Sequence, residues 1–530
     1  MRRVSASFAL VAPLALVAVP ALGRAAPPRY TNPILYADYS DPDVIRVGAD
    51  YYLVASSFHL SPGLPVLRSR DLVHWTIVAN ALPRLPFSPL YNMPGPHALT
   101  DAISKPIGGT KYASGVWAPA IRHHAGRFFI YFPTPDEGIF MTSATRVEGP
   151  WSAPVAVIAG AGLEDPCPFW DDDGSAWLIH GKVGAGPLIL HRMSADGTRV
   201  LDAGIVVADD PKALPVLEGP KLYKRDGRYY IWAPIGGVDK GDQAVGRARH
   251  ITGPYEWRTV LTQGTTAVQG PHQGAWVETP SGQGWFAHFN STGAFGRITY
   301  LEPVHWKDGW PIVGDPPGQP VTTYPFPDTG HAPTRDRLQD SDEFASPRLG
   351  LQWSWNHNPD PAGWSLTERP GWLRLRARPA EHLVTARDTL TQVLQGPNMA
   401  ASARIDVRNL APGQRAGLAM FGVRPSWIGV VGTAAGARVT LSVQGIETPG
   451  PVVTGTGTGT VVFRVAVGPA QTARYAYSLD GGRHFTTMSD AIPLARFSWW
   501  KGSRPALFSY GAAGWVDIDW FHVAKETPHD

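Results

Sequence analysis

The sequence predicts an all-β protein in which a five-bladed β-propeller precedes a β-sandwich, and three observations support this. The 530 residues exceed one ordinary hydrophobic core, which favours two domains. The 57 glycines and 51 prolines, with only 17% charged residues, are typical of short strands joined by turns. One hairpin-like segment also recurs five times before residue 320, at intervals expected for propeller blades.

The N-terminus has the features of a secretory signal peptide. Arg2 and Arg3 precede an apolar run from Phe8 to Leu22, and small residues follow as far as Ala26. The run is short and contains two prolines, which disfavours a transmembrane anchor. We therefore expect residues 1–26 to be a signal peptide and the mature protein to be secreted or periplasmic.

The repeated segment joins a proline, an apolar strand, a glycine turn and a second strand rich in aromatic residues. Successive prolines are separated by 77, 47, 54 and 51 residues, and they are Pro42, Pro119, Pro166, Pro220 and Pro271. A further strand pair follows each hairpin, and four strands in about 50 residues are typical of a propeller blade. We predict a propeller over 30–325, with an inserted loop at Leu82–Thr100; a sandwich with chance similarity is the alternative.

A proline-rich linker separates the propeller from a second domain, predicted as a β-sandwich over 340–527. Its strands alternate apolar and polar residues, as in "WLRLRAR" from Trp372 and "VVFRVAV" from Val461.

The net charge of +3, without a basic block, argues against a nucleic acid partner. No later stretch is apolar enough to enter a membrane. Nothing in the sequence indicates an oligomeric state.

Three of the five repeats place a carboxylate at the start of the innermost strand. These residues are Asp41, Asp165 and Glu218. Asp-Pro is a common turn opener, but three acids converging on one channel mouth raise one another's pKa, which favours a functional site. Paired carboxylates across a pocket are the groups that hydrolyse glycosidic bonds.

The ordered motifs "SDPDVIRVGADYYLVAS", "GVWAPAIRHH", "LEDPCPFWDDDG", "LEGPKLYKRDGRYYI" and "GPHQGAWV" resemble glycoside hydrolase family 43, which contains β-xylosidases and α-L-arabinofuranosidases. "GLQWSWNHNPD" extends the resemblance into the sandwich, which is then expected to be concanavalin-like. The resemblance implies that Asp41 is the general base, that Glu218 is the general acid, and that Asp165 tunes and orients that acid. It also implies inversion at the anomeric carbon.

These roles carry physical expectations. In an inverting enzyme the carboxyl groups of Asp41 and Glu218 stand about 6.5–9.5 Å apart. The pKa of Glu218 should be raised to about 6–7, with ionised Asp165 as the cause. Asp43 is the rival base, but two residues move it about 6.6 Å down the strand from the mouth.

Four further residues are candidates for substrate binding. Trp117 and Phe58 are candidate aromatic contacts for a sugar, with core packing as the alternative. The resemblance implies that Arg297 binds glycone hydroxyl groups, with a surface arginine as the alternative, and that His272 lies beside the sugar or a central metal-bound water. His59 and Asp136 are further candidates.

The acidic stretch "EDPCPFWDDDG" contains five carboxylates, of which only Asp165 is expected to act. Glu164 lies one residue before Asp165, the position at which the repeat places its carboxylate. Asp171–Asp173 align with the glycine turns at the far end of the strand, about 20 Å away, and lack the spacing of a calcium loop. Cys167, the only cysteine, is expected to be a small buried filler. No zinc signature is present, and no cofactor is required, although a structural calcium ion in the channel is compatible with the resemblance.

The sequence therefore predicts a secreted, exo-acting, inverting glycoside hydrolase that releases terminal pentoses from plant hemicellulose, foremost a β-xylosidase. An α-L-arabinofuranosidase, a non-catalytic carbohydrate-binding propeller and a retaining fructan-type hydrolase are the alternatives. The last should open on Asn-Asp-Pro-Asn, whereas this chain has Ser-Asp-Pro-Asp from Ser40. The inserted loop and the sandwich are expected to close one end of the channel, with Ser498–Phe508 supplying an aromatic wall.

Overall fold

The computed structural model describes residues 27–99, 107–453 and 459–526. The expected signal peptide, residues 1–26, lies outside this range. The helices in the described part of the chain are short 3-10 turns at Pro89–Asn92, Gly293–Phe295 and Leu383–Thr385. None of them is long and apolar enough to cross a membrane.

The first domain is a five-bladed β-propeller, as predicted, and each blade is a four-stranded antiparallel sheet whose strands follow one another along the chain, except that the short strand Leu60–Ser61 interrupts blade 1. Blade 1 consists of Asp43–Val47, Asp50–Val54, Gly63–Ser69 and Thr76–Leu82. Blade 2 consists of Ala120–His124, Arg127–Thr134, Gly138–Ala144 and Val155–Ala159. Blade 3 consists of Leu163–Trp170, Ala176–Lys182, Leu188–Met193 and Ile205–Ala208. Blade 4 consists of Lys221–Arg225, Arg228–Ile235, Asp242–Ala248 and Glu256–Leu261. Blade 5 consists of His272–Glu278, Gly284–Ser291, Arg297–Lys307 and Trp310–Val313.

The ring is closed by the segment that precedes blade 1 and not by a strand shared between two blades. Arg29–Thr31 pairs with Thr323–Pro325 from the linker. The Tyr30 hydroxyl donates to the carbonyl of Leu301 in blade 5 at 2.7 Å, and Leu35 forms a bridge with Thr299. The two ends of the propeller are thus joined by hydrogen bonds of the main chain and of a buried tyrosine.

The second domain is a sandwich of two antiparallel sheets. The strands of the first sheet are, in spatial order, Ile446–Val453, Gly436–Val443, Ser426–Thr433, Arg415–Phe421, Arg504–Tyr510, Leu390–Thr391, Ser354–Asn356 and Leu60–Ser61. The strands of the second are Trp364–Ser365, Leu373–Arg376, Trp515–Lys525, Met399–Asp406, Thr460–Val467, Thr472–Ser478 and Thr486–Thr487, and Ile492–Pro493 also pairs with Thr472–Ser478. Side chains of both sheets, such as Leu418 and Phe463, form one buried core.

The two domains share a sheet, because Leu60–Ser61 belongs to the propeller. Within that sheet Trp355 pairs with Ser61 and Asn356 with Leu60. The chain around the inserted loop meets the same part of the sandwich: the amide of Asn358 donates to the carbonyl of Tyr91 at 2.8 Å. The sandwich is therefore docked against the propeller at the connection between the second and third strands of blade 1.

Candidate active site

A cavity of about 250 Å³ lies where the innermost strands of the propeller begin. Every blade contributes to its lining, and the sandwich contributes one tryptophan. The lining residues are Asp41, Phe58, Trp117, Ala118, Glu164, Asp165, Val216, Glu218, Gly237, Val238, His272, Gln273, Arg297 and Trp500. The seven residues predicted as catalytic or substrate-binding are all among them. The volume is below that of sites for drug-sized ligands, which suits a small ligand.

Asp41, the predicted base, is held at the cavity by two donors. Arg297 Nη1 lies 3.0 Å from Asp41 Oδ1, and the Ser56 hydroxyl donates to Oδ2. Its rival Asp43 does not line the cavity. Asp43 is fully buried and accepts from the amide of Ile121 and the guanidinium of Arg122, both at 2.7 Å. Asp43 therefore joins blades 1 and 2, and Asp41 alone faces the site.

The sandwich supports Asp41 from behind through a buried ion pair that the sequence analysis missed. Lys501 Nζ lies 3.3 Å from Asp38 Oδ2 and donates to the carbonyl of Ser56 at 3.4 Å. Asp38 also accepts from the amides of Arg297 and Gly502, both at 3.0 Å. Residues of the sandwich thus fix the segment that carries Asp41 and its two donors.

Glu218, the predicted acid, faces His272 across a distance of 2.9 Å between Oε1 and Nε2. Burial raises the pKa of Glu218, but the nearby His272 and the charge of Arg297 outweigh it, so the net shift is downward. The expected rise in the pKa of Glu218 is therefore wrong, because the sequence analysis placed His272 beside the sugar or a central metal-bound water and did not anticipate its direct contact with Glu218.

Asp165 carries the raised pKa instead. Burial, followed by the charge of Glu218, raises the pKa of Asp165 to about 7. Its Oδ2 accepts from the amide of Gly219 at 2.8 Å, which places it beside the predicted acid.

The residue directly before the anchoring proline has a positive φ in four blades: 55° at Asp41 and Asp165, 58° at Gly219 and 70° at Gly270. This left-handed turn is costly for an aspartate, and such conformations cluster at functional sites.

Glu164 also lines the cavity, contrary to the expectation that Asp165 alone would act. The register of the innermost strand of blade 3 shifts between Glu164 and Cys167. In a regular strand neighbouring side chains point to opposite faces, but this irregularity lets Glu164 and Asp165 face the same pocket. The positive φ of Asp165 is the local cause, and a sequence register based on strict alternation could not reveal it.

The other acids of that stretch lie away from the cavity, as predicted. Asp171 pairs with Lys224 at 2.5 Å, and Asp172 and Asp173 are exposed. Cys167 is buried, as expected, and its sulfur lies 2.8 Å from Arg122 Nη2, so it accepts a hydrogen bond as well as filling space.

An aromatic and cationic wall surrounds the carboxyl groups. The rings of Trp117 and Trp500 meet edge to face at 6.1 Å, and the guanidinium of Arg297 lies 5.8 Å from the Trp500 ring. Lys501 Nζ lies 5.5 Å from the centre of the Phe58 ring. The expected aromatic from Ser498–Phe508 is thus Trp500. The described part of the inserted loop, residues 82–99, does not line the cavity; the ring of Tyr112 stacks on that of Trp499 with 3.9 Å between their centroids.

The two further candidates lie outside the cavity. His59 packs against Tyr112 and Trp499 beneath the wall, and Asp136 pairs with Lys111 at 2.6 Å. In the described part of the chain, the one group of three or more histidine, cysteine or acidic side chains spaced for a metal is Glu164, Asp165 and Glu218, whose ligand atoms lie within 4.8 Å. Because these are the pocket acids themselves, the structural calcium stays a prediction.

The family model for glycosyl hydrolases family 43 matches residues 30–311, more than half of the chain. The chain belongs to this family. A second model, the β-xylosidase C-terminal concanavalin A-like domain, matches residues 341–524. The family 43 chain is therefore a glycoside hydrolase with a concanavalin-like accessory domain, as the sequence predicts.

Relatives cover most of this family 43 chain. A β-xylosidase of Formosa agariphila is 35% identical over 94% of this chain and 91% of its own. A non-reducing end α-L-arabinofuranosidase of Bacteroides ovatus is 31% identical over 73% of each. A solved structure of a family 43 enzyme engineered to display endo-xylanase and exo-arabinofuranosidase activity has a TM-score of 0.83, with 29% identity over 95% of this chain and 100% of that one.

Proposed function

We propose that this family 43 hydrolase is a secreted, exo-acting, inverting enzyme that releases terminal pentoses from plant hemicellulose oligosaccharides, foremost as a β-xylosidase. The observation that carries the proposal is the meeting of Asp41, Asp165 and Glu218 in one small cavity closed by Trp500. The β-xylosidase of Formosa agariphila, similar over nearly the whole chain, supports the choice of xylose.

In the proposed reaction Glu218 donates a proton to the glycosidic oxygen as that bond breaks. Asp41 takes a proton from a water molecule, and the water oxygen bonds to the anomeric carbon from the opposite face. The pair with Arg297 holds the Asp41 carboxylate at the cavity. Asp165, beside Gly219, orients the acid and adds negative charge when ionised, which stabilises the positive charge that develops on the sugar.

The shape of the cavity favours removal of terminal sugars. Trp117 from blade 2 and Trp500 from the sandwich form a wall beside Arg297. A groove for internal cleavage needs two open ends, whereas a small pocket that the accessory domain walls off accepts a chain end.

An α-L-arabinofuranosidase is the second candidate. The Bacteroides ovatus relative carries that activity in its name, and its similarity covers 73% of this chain. Both pentoses present hydroxyl groups to the same acids and to Arg297, so one cavity suits either sugar.

Hydrolysis of aryl β-D-xylosides and aryl α-L-arabinofuranosides, followed by NMR, tests the proposal. We expect inversion at the anomeric carbon and a loss of about 10²–10⁴ in kcat for Glu218→Gln. Glu278→Gln is the matched control, because Glu278 lies at the far end of the innermost strand of blade 5 and pairs with Arg225. Retention of configuration, or full activity of Glu218→Gln, would overturn the proposed mechanism. Binding of xylo-oligosaccharide without turnover would indicate a carbohydrate-binding propeller.

The proposal extends to export and to metal dependence. We propose that residues 1–26 direct secretion and are removed, which mass spectrometry of the exported protein tests.

The reaction needs only the side chains described above, so we expect treatment with EDTA to leave activity on aryl xylosides unchanged. A loss that calcium restores would instead show that a structural calcium supports the site.

A further inference from the structure

Glu164 is a buried carboxyl group in the cavity for which the proposed mechanism has no use. Its side chain lines the cavity, the residue is 5% exposed, and Oε1 has no hydrogen-bond partner in the described part of the chain. A buried polar oxygen without a partner is costly and is uncommon in native proteins. Because Glu164 forms part of the cavity wall, a ligand bound there is a candidate partner for its carboxyl group.

The local backbone brings Glu164 to the cavity wall, where its side chain lies beside Gly181 of the neighbouring strand. The irregular register beside Asp165 turns it into the pocket. Gly181 lies opposite, and a Cβ atom there would approach Glu164 Cγ to 3.4 Å, so the glycine leaves room for the side chain.

No charged partner holds Glu164. Its ligand oxygen lies within 4.8 Å of those of Asp165 and Glu218, while His272 faces Glu218 and Arg297 faces Asp41. Burial, and then the charges of Asp165 and Glu218, raise the pKa of Glu164 to about 10, against a smaller lowering by the amide of Ala185. Glu164 therefore keeps its proton at neutral pH and presents an O–H donor together with an unpaired acceptor.

A neutral carboxyl group that both donates and accepts is matched to a sugar hydroxyl, which does the same. The roles of acid and base already belong to Glu218 and Asp41, which have the donors and the charged neighbours.

We propose that Glu164 is a specificity-determining residue whose carboxyl group hydrogen-bonds one ring hydroxyl of the terminal pentose. The inference rests on the proposed function, because it requires a pentose in this cavity. A site built to pair with a substrate hydroxyl rejects analogues that lack it, since the protein group is then left without a partner.

The test compares Glu164→Ala and Glu164→Gln with the unsubstituted protein on an aryl β-D-xyloside and on its 2-deoxy, 3-deoxy and 4-deoxy analogues. We expect Glu164→Ala to lower kcat/KM on the parent xyloside by about tenfold to a hundredfold. On the one analogue that lacks the recognised hydroxyl, we expect the same variant to match the unsubstituted protein. Glu164→Gln should retain more activity on the parent than Glu164→Ala, because an amide also donates and accepts.

The outcomes separate this inference from the proposed function. Equal losses on all four substrates would mean a merely structural role and would overturn the inference. An unsubstituted protein that hydrolyses no pentoside would overturn the proposed function itself. If only arabinofuranosides are hydrolysed, the same comparison on deoxy-arabinofuranosides decides. Thermal unfolding of both variants checks folding, and Glu278→Gln should leave all four rates unchanged.

Discussion

The carboxyl groups of the cavity differ in pKa, and the residues beside each group explain the difference. Burial and the neighbouring carboxylates raise the pKa values of Glu164 and Asp165 to about 10 and about 7, although the charge of Lys221 acts against the rise at Asp165. Glu218 is less enclosed, with 20% of its side chain exposed, and its pKa is lowered because His272 lies 2.9 Å away. Glu164 and Asp165, both in blade 3, therefore keep their protons to higher pH than Glu218, the predicted acid.

His272 is expected to set the alkaline limit of activity. In His272→Ala the imidazole that lowers the pKa of Glu218 is lost, so that pKa rises and Glu218 keeps its proton to higher pH. The alkaline limb of the kcat/KM profile, which reports the acid of the free enzyme, should move to higher pH even though the maximal rate falls. Rates on an aryl xyloside between pH 4 and pH 10 measure this, with the buried His180→Gln in blade 3 as control. An unmoved limb would show that His272 does not control Glu218.

Glu164 is expected to cost stability at alkaline pH. Its folded-state pKa of about 10 lies above the ordinary value of 4.5, so the folded protein binds a proton that the unfolded chain has released. Stability from this group is thus present below about pH 4.5 and is lost progressively as the pH rises toward 10. Glu164→Gln removes that loss and should raise the free energy of unfolding at pH 8 by about 1–3 kcal/mol, with little gain at pH 4.5. Denaturant unfolding at both pH values measures the difference; a gain independent of pH would contradict the assignment.

At the scale of elements, the sequence predicted which acids line the cavity where the strands are regular. It failed where the backbone of a strand is irregular. The rise along an extended strand correctly separates Asp41 from Asp43, because two residues carry Asp43 about 6.6 Å from the mouth. The register of the repeat failed for Glu164, since the irregular backbone beside it lets that side chain line the cavity as well. Lys501 and Asp38 were missed for another reason: 463 residues separate them, and no local pattern marks a contact between domains.

The loop at residues 498–502 is expected to contribute both stability and activity. Lys501→Met leaves Asp38 buried without its ion pair, although the amides of Arg297 and Gly502 still donate to it. Breaking a buried pair on one side costs about 3–5 kcal/mol, so the unfolding midpoint should fall markedly. The rate should fall as well, because Lys501 also holds the carbonyl of Ser56, whose hydroxyl binds Asp41.

Arg146→Met is the control for that change. Arg146 also pairs with a carboxylate, Glu148, at 3.6 Å, but both side chains are exposed at the surface of the propeller. Exposed pairs contribute little, so neither stability nor activity should change measurably. Equal losses in the two variants would show that the effect of Lys501 is not specific to its buried position.

For the whole molecule, the repeat of prolines and hairpins was enough to predict five blades, because each blade is built from one continuous segment of the chain. How the sandwich docks was not predictable, because the interface is assembled from short pieces of both domains. Met93 and Tyr112 of the propeller share one apolar cluster with Trp499 and Phe508 of the sandwich. Phe295 of blade 5 lies in the sandwich core itself.

This shared core predicts that the two domains unfold together. Separating them would expose the cluster around Tyr112 and Trp499 and would break the sheet that Leu60–Ser61 extends. Calorimetry of the full chain should therefore show one transition, with equal calorimetric and van't Hoff enthalpies. A fragment ending at residue 335 should be inactive, because it lacks Trp500 and Lys501 at the cavity. Two separate transitions, or an active fragment, would show that the sandwich is an independent appendage and that the propeller completes the site alone.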